Sequence, residues 1–110
     1  MIYTSKPLTI KQIENLREKG NYTKITIDLT NKTAVIDTPL HTDGEKILLN
    51  KGGGQKNIWG GGVNLSTIQF DANAVLNIRP NLDNPSMEII DPDIRNNFLD
   101  LAEYFFKNLA

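Results

Sequence analysis

The clearest periodicity in the chain lies near its C-terminus, where Ile94, Phe98, Leu101, Ala102, Phe105 and Leu109 recur at three and four residues behind Asp91-Pro92. Apolar positions at that spacing line one side of a helix, and aspartate followed by proline is a favoured helix start. An amphipathic helix is therefore expected over Pro92 to Leu109. Near the N-terminus, Thr9 and Gln12 stand at capping-box spacing, Leu8 and Ile13 at hydrophobic-staple spacing, and Gly20 marks the stop. Between Tyr22 and Thr38 the period falls to two. Ile25, Ile27 and Leu29 alternate with Lys24, Thr26 and Asp28, and Ala34 and Ile36 continue after Asn31-Lys32, the pattern of a β-hairpin with one apolar face. A two-residue turn at Asn31-Lys32 sets Ile27 opposite Ile36 and Thr26 opposite Asp37, with the second, polar face open to water.

Pro39 ends the hairpin, and Thr42-Asp43-Gly44-Glu45 forms a second capping box ahead of Lys46-Ile47-Leu48-Leu49, predicting a short helix that Gly52 stops. Six of the eight glycines fall in two triplets, Gly52-Gly53-Gly54 and Gly60-Gly61-Gly62, so residues 52–62 read as loop. Val63-Leu65 and Ile68-Phe70 are strand-like but out of phase, which places a turn or bulge at Ser66-Thr67. Ala74 to Arg79 reads as a further strand with Val75, Asn77 and Arg79 on one face. The whole is one α+β domain over residues 1–110. An antiparallel sheet built on the hairpin carries an N-terminal helix, a short middle helix and a C-terminal amphipathic helix covering one face.

Composition narrows the function classes. Twelve basic against thirteen acidic residues give a net charge of −1, without the basic footprint of a nucleic-acid binder, so no nucleic acid is expected. No cysteine is present, which removes disulfides, thiolate metal sites and a cysteine nucleophile. No apolar run is long enough to span a membrane, and the N-terminus lacks a secretion-signal pattern. A cytoplasmic protein with no membrane partner is the expectation.

Leu40-His41-x-Asp43-x-Glu45, Gln55 with Trp59-Gly60, Asn64, Phe70-Asp71, Asn77-Ile78-Arg79-Pro80, Ser86 and Ile90-Asp91-Pro92-Asp93-Ile94-Arg95 follow one another as an ordered series. The series resembles a family of small bacterial and archaeal proteins catalogued as a domain of unknown function, over nearly the whole chain from the N-terminal helix onward. The resemblance implies a single-domain prokaryotic protein and a set of polar positions, with no reaction or substrate attached. This chain departs from the pattern in its added glycines around Gln55 and Trp59, and in Pro85, where relatives often carry arginine.

Several of these positions have chemistry to offer. His41 is the only imidazole, and its ordinary pKa suits proton transfer near neutrality. With Asp43 it is the candidate catalytic pair; both also have structural readings, His41 as a hydrogen-bonding side chain and Asp43 as a complement to the helix dipole. A metal held by His41, Asp43 and Glu45 is disfavoured, because Asp43 and Glu45 point about 200° apart on a helix and the Thr42 cap already explains Glu45. No metal or cofactor is expected. Gln55, Trp59, Asn77 and Arg79 are the candidate ligand-binding residues. Trp59 either packs its loop onto the core or offers a stacking face. Arg79 either binds an anion in two-point fashion or pairs with Asp71 or Asp91. The glycine triplets lack the lysine-serine/threonine continuation of a phosphate loop, and Ser86 lacks a nucleophile elbow.

Two function classes follow. The first is a ligand-binding or hydrolytic protein with His41, Asp43, Gln55, Trp59, Asn77 and Arg79 gathered at one end of the sheet around a small anionic ligand. The second is an interaction module of antitoxin- or immunity-like type, with Trp59 and the glycine loops ordering against a protein partner. A homodimer is compatible with either.

Overall fold

The computed structural model describes residues 1–109. Strands β1 (Ile2–Thr4), β2 (Tyr22–Asp28), β3 (Thr33–Ile36), β4 (Ile58–Asn64) and β5 (Gln69–Asp71) form one antiparallel sheet in the spatial order β1-β3-β2-β4-β5. Helices α1 (Ile10–Lys19), α2 (His41–Asn50) and α3 (Pro92–Phe105) pack on it. The α+β class with an antiparallel sheet is as expected, and so are two of the helix starts. Thr9 Oγ1 accepts from Gln12 N at 3.1 Å while Gln12 Oε1 accepts from Thr9 N at 2.9 Å. Asp91 Oδ1 accepts from Asp93 N and Ile94 N at 2.9 and 3.1 Å, satisfying amides that a helix start leaves open.

The main core lies between the sheet and the α1/α3 layer. Ile25, Ile27, Ala34, Ile36, Trp59 and Val63 meet Ile13 and Leu16 of α1 and Phe98, Ala102 and Phe105 of α3. Helix α3 ends at Phe105, short of the expected Leu109, yet Phe106 and Leu109 still bury their side chains in the turn that follows. Phe98 is fully buried against the middle of β4. Phe98→Ala is expected to cost about 3 kcal/mol in urea denaturation, the transfer loss plus the cavity left behind.

Five expectations need correction. The hairpin loop holds four residues, 29–32, so Ile27 faces Ala34, Ile25 faces Ile36, and Thr26 faces Val35 rather than Asp37. Asp28 causes this: its carboxylate accepts from Thr30 N, Asn31 N and Asn31 Nδ2, building a wider turn with Lys32 at φ 54°. The pairing slides by two residues, so each side chain keeps its face. That second face is not open to water at this end. Helix α2 covers it, burying Thr26 and Asp28 and forming a smaller core from Val35, Leu48 and Ile58.

Helix α2 begins at His41, ahead of the expected Thr42 cap. Asp43 Oδ2, at the third helical position, accepts from Leu40 N at 3.1 Å, and Glu45 takes no part in capping. Residues 52–62 are not one loop. The first triplet is loop, Gln55–Asn57 make a 3₁₀ turn, and the second triplet lies in β4, a central strand buried from Ile58 through Val63. Ala74–Arg79 is not a strand either, since Val75–Asn77 form a second 3₁₀ turn beside β4. The turn expected at Ser66-Thr67 is present, held by Asn64 Oδ1 accepting from both amides. Strand β1, which pairs with β3, had no signal in the periodicity.

Candidate functional site

The second glycine triplet shapes the face on which α2 sits. Side chains alternate along a strand, so Gly60 and Gly62 leave one face bare and Gly61 the other. A methyl on Gly61 would come within 2.6 Å of Phe98 Cε1, so this glycine admits α3. On the opposite face a methyl on Gly60 would meet His41 Cδ2 at 2.8 Å, and one on Gly62 would run into the Tyr22 hydroxyl. The imidazole and the phenol therefore occupy space that side chains would otherwise fill.

His41, the first residue of α2, is tied to the strand by its Nε2, 2.7 Å from Gly61 O. A carbonyl can only accept, so Nε2 carries the proton and Nδ1 of the neutral ring is a bare lone pair. Burial pushes the His41 pKa below its ordinary 6.5, opposed by the Gly61 bond; Lys24 lowers it further and Asp71 raises it. Nδ1 takes no hydrogen bond. Among the described residues only Arg79 Nη1 is a fully buried side-chain nitrogen or oxygen without a partner, so His41 Nδ1 is within reach of solvent.

Around this ring stand three residues that were not among the expected site residues. In the strand register Gly62 has Lys24 on one side and Asp71 on the other, all on the face shared with His41. Tyr22 Oη donates to Asp71 Oδ2 at 2.9 Å, and Asp71 Oδ1 accepts from Asn73 N at 3.0 Å. Burial first, then the Asp71 bond and charge, hold the Tyr22 hydroxyl protonated well above its ordinary range. Lys24 forms no ion pair among the described residues. The polar alternation Tyr22, Lys24, Thr26 was visible in the sequence, but its meaning depends on β2 lying against the glycines of β4.

Four expected residues do gather, about Trp59–Gly61 of β4. His41 approaches from α2. Asn77 is fully buried and lines the strand edge, its Oδ1 accepting from Gly60 N at 2.9 Å and its Nδ2 donating to Gly60 O, Ala72 O and Met87 O. Arg79 pairs with Glu45, neither Asp71 nor Asp91, at 2.9 Å, and lies 5.1 Å from the centre of the buried Trp59 ring. Glu45 is one helical turn from His41, so α2 points both at this stretch. Gln55, on the exposed 3₁₀ turn, and Asp43, whose carboxylate caps α2, stand apart from the group.

No group of three or more His, Asp or Glu side chains among the described residues could hold a metal ion. The cluster is an open patch of sheet; a cleft of about 200 Å³ lies beyond it between β5 and α3, sharing Asp71 with it and lined also by Phe70, Glu88, Arg95 and Leu99. No described helix is long and apolar enough to cross a membrane. A family model described as "Protein of unknown function (DUF5674)" matches residues 2–105. No curated protein and no solved structure matches the chain.

Proposed function

We propose that this chain, which belongs to the family described as Protein of unknown function (DUF5674), binds a small anionic ligand on the open half of its sheet. Lys24 neutralises the anion, and His41 takes a proton from a water or hydroxyl beside it. The tether of His41 carries this reading: its Nε2 is spent on Gly61 O while its pKa is lowered, which leaves Nδ1 as an acceptor near neutral pH. A cation without a carboxylate partner stands next to that acceptor, in a cluster with a second perturbed group, Tyr22. Perturbed groups gathered around one surface are a mark of functional sites. The interaction-module reading rested on Trp59 and the two glycine loops; Trp59 and the second triplet are packed inside this chain, while the first triplet remains a surface loop.

The ligand set differs from the one the sequence pointed to. Arg79 and Asn77 are buried in the fold instead, Arg79 pairing with Glu45 through Nη2 and Asn77 bonding the backbone of Gly60, Ala72 and Met87. The test is titration of acetate and of inorganic phosphate, followed through the resonances of the single imidazole. The wild type is expected to show a saturable shift that Lys24→Met weakens about tenfold, in line with the loss of a charge-assisted contact. Equal binding by the wild type and Lys24→Met, or no shift at all, would contradict the proposal.

A further inference from the structure

The register around Gly62 says more about the ligand. Lys24 on β2 and Asp71 on β5 are cross-strand neighbours of the same glycine, on one face of the sheet, with no ion pair between them. Neighbouring strands lie ~4.8 Å apart, so roughly 10 Å of sheet separates the strand positions from which the Lys24 ammonium and the Asp71 carboxylate rise, the carboxylate held by its two hydrogen bonds and the ammonium on a long, unpaired stem. Between them Tyr22 forms the floor, half-exposed, with its hydroxyl directed to Asp71 Oδ2. Asp71 accepts one hydrogen bond on each oxygen, which leaves each a further lone pair.

From this juxtaposition we infer that the ligand is a short zwitterion, its carboxylate held by Lys24 and its ammonium by Asp71, with His41 Nδ1 facing the groups between. With both side chains standing off the sheet, two charge-assisted hydrogen bonds of ~2.8 Å within that ~10 Å strand spacing leave room for charged ends about 4 Å apart at most, the reach of an α- or β-amino acid and well short of a long ω-amino acid. The inference rests on the anion site proposed above and adds the second charge. A simple anion satisfies Lys24 but brings a negative charge towards Asp71 with nothing to balance it. An amino acid leaves neither fixed charge facing its like.

The experiment compares matched probes by imidazole chemical-shift titration of the full chain: acetate with glycine, propionate with β-alanine, and hexanoate with 6-aminohexanoate, whose charges are too far apart. Glycine or β-alanine is expected to bind about 3- to 10-fold more tightly than its amine-free partner, as a partly exposed ion pair adds. The long pair should show no such gain. Asp71→Asn keeps an oxygen for the Tyr22 hydroxyl and should remove the gain while leaving acetate binding in place. Acetate binding with no gain for either short amino acid would overturn the zwitterion and leave the anion site standing. A gain that survives Asp71→Asn would also overturn it, and an absence of any binding would overturn both readings.

Discussion

Asn77→Ala is expected to remove about 5 kcal/mol of folding stability, enough to leave much of the chain unfolded at 37 °C. Where β5 stops pairing with β4 beyond Gly62, the Asn77 side chain takes over, giving Gly60 both an acceptor for its N–H and a donor for its C=O. Its amide also bonds Ala72 O and Met87 O, and the residue is completely buried. Truncation leaves Gly60 N and Gly60 O unpaired, at about 1 to 3 kcal/mol for each unsatisfied buried group, and takes one further bond of about 0.5 to 1.5 kcal/mol each from Ala72 O and Met87 O, which still accept from Ile89 N and Ala74 N. Domains of this size have roughly 5 to 15 kcal/mol in all. Thermal unfolding checks this, with Asn50→Ala, an exposed asparagine at the end of α2, as the control expected to shift stability by less than about 0.5 kcal/mol. A similar small shift for both would show that β4 does not depend on the Asn77 amide.

Arg79→Met is expected to cost about 4 kcal/mol, the second-largest effect. The Arg79 side chain is 7% exposed and that of Glu45 14%, so removing the guanidinium leaves a carboxylate largely out of water with no cation. The methionine keeps most of the apolar contact with Trp59, which isolates the electrostatic loss. Burial lowers the Arg79 pKa while Glu45 raises it, which shows the same balance from the arginine's side. The double substitution Arg79→Met with Glu45→Met should recover most of the loss, because a buried pair replaced by apolar side chains is often near neutral. A double-mutant cycle in urea measures the coupling. Additive losses would mean that the pair is not held as the structure shows it.

These two residues show where local pattern stops carrying information. The helices were legible because their signals are local: the Thr9 and Asp91 caps and the stripe of Phe98, Ala102 and Phe105 act within a few turns of chain. The hairpin was legible in its faces but not in its register, since Asp28 widened the turn from outside the two residues that looked like one. β4 was missed because glycine reads as loop in isolation, whereas here three glycines are needed so that Phe98, His41 and Tyr22 can approach a central strand. The Asn77 segment mimics a sheet partner with a side chain, which period-two alternation cannot distinguish from a strand.

The site divides in the same way. His41, Trp59, Asn77 and Arg79 stood out as chemically distinctive and do meet around β4, yet the chain uses three of them in its interior. Tyr22, Lys24 and Asp71 looked like ordinary polar alternation, and only the order β2-β4-β5 sets them on either side of Gly62. Glu45 was assigned to a cap because capping is the commonest local use of a glutamate at that spacing. Starting α2 at His41 passes the cap to Asp43 and leaves Glu45 for Arg79, a partner distant in sequence.

The state of His41 is the point on which the functional account turns, and a long-range proton–nitrogen spectrum of the one imidazole, recorded across pH 4 to 9 at about 25 °C, reads it directly. The expected result is a neutral ring with its proton on Nε2 and a bare Nδ1, titrating below the ordinary 6.5 because burial disfavours the cation. A folded-state pKa below the unfolded value also means that stability falls as pH drops below 6.5 towards that lower value, where the unfolded chain takes up the proton first. A neutral ring with its proton on Nδ1 would contradict the account, since the bare nitrogen would then face Gly61 O instead of solvent, and so would a midpoint at or above 6.5, since burial would then not be holding the ring neutral.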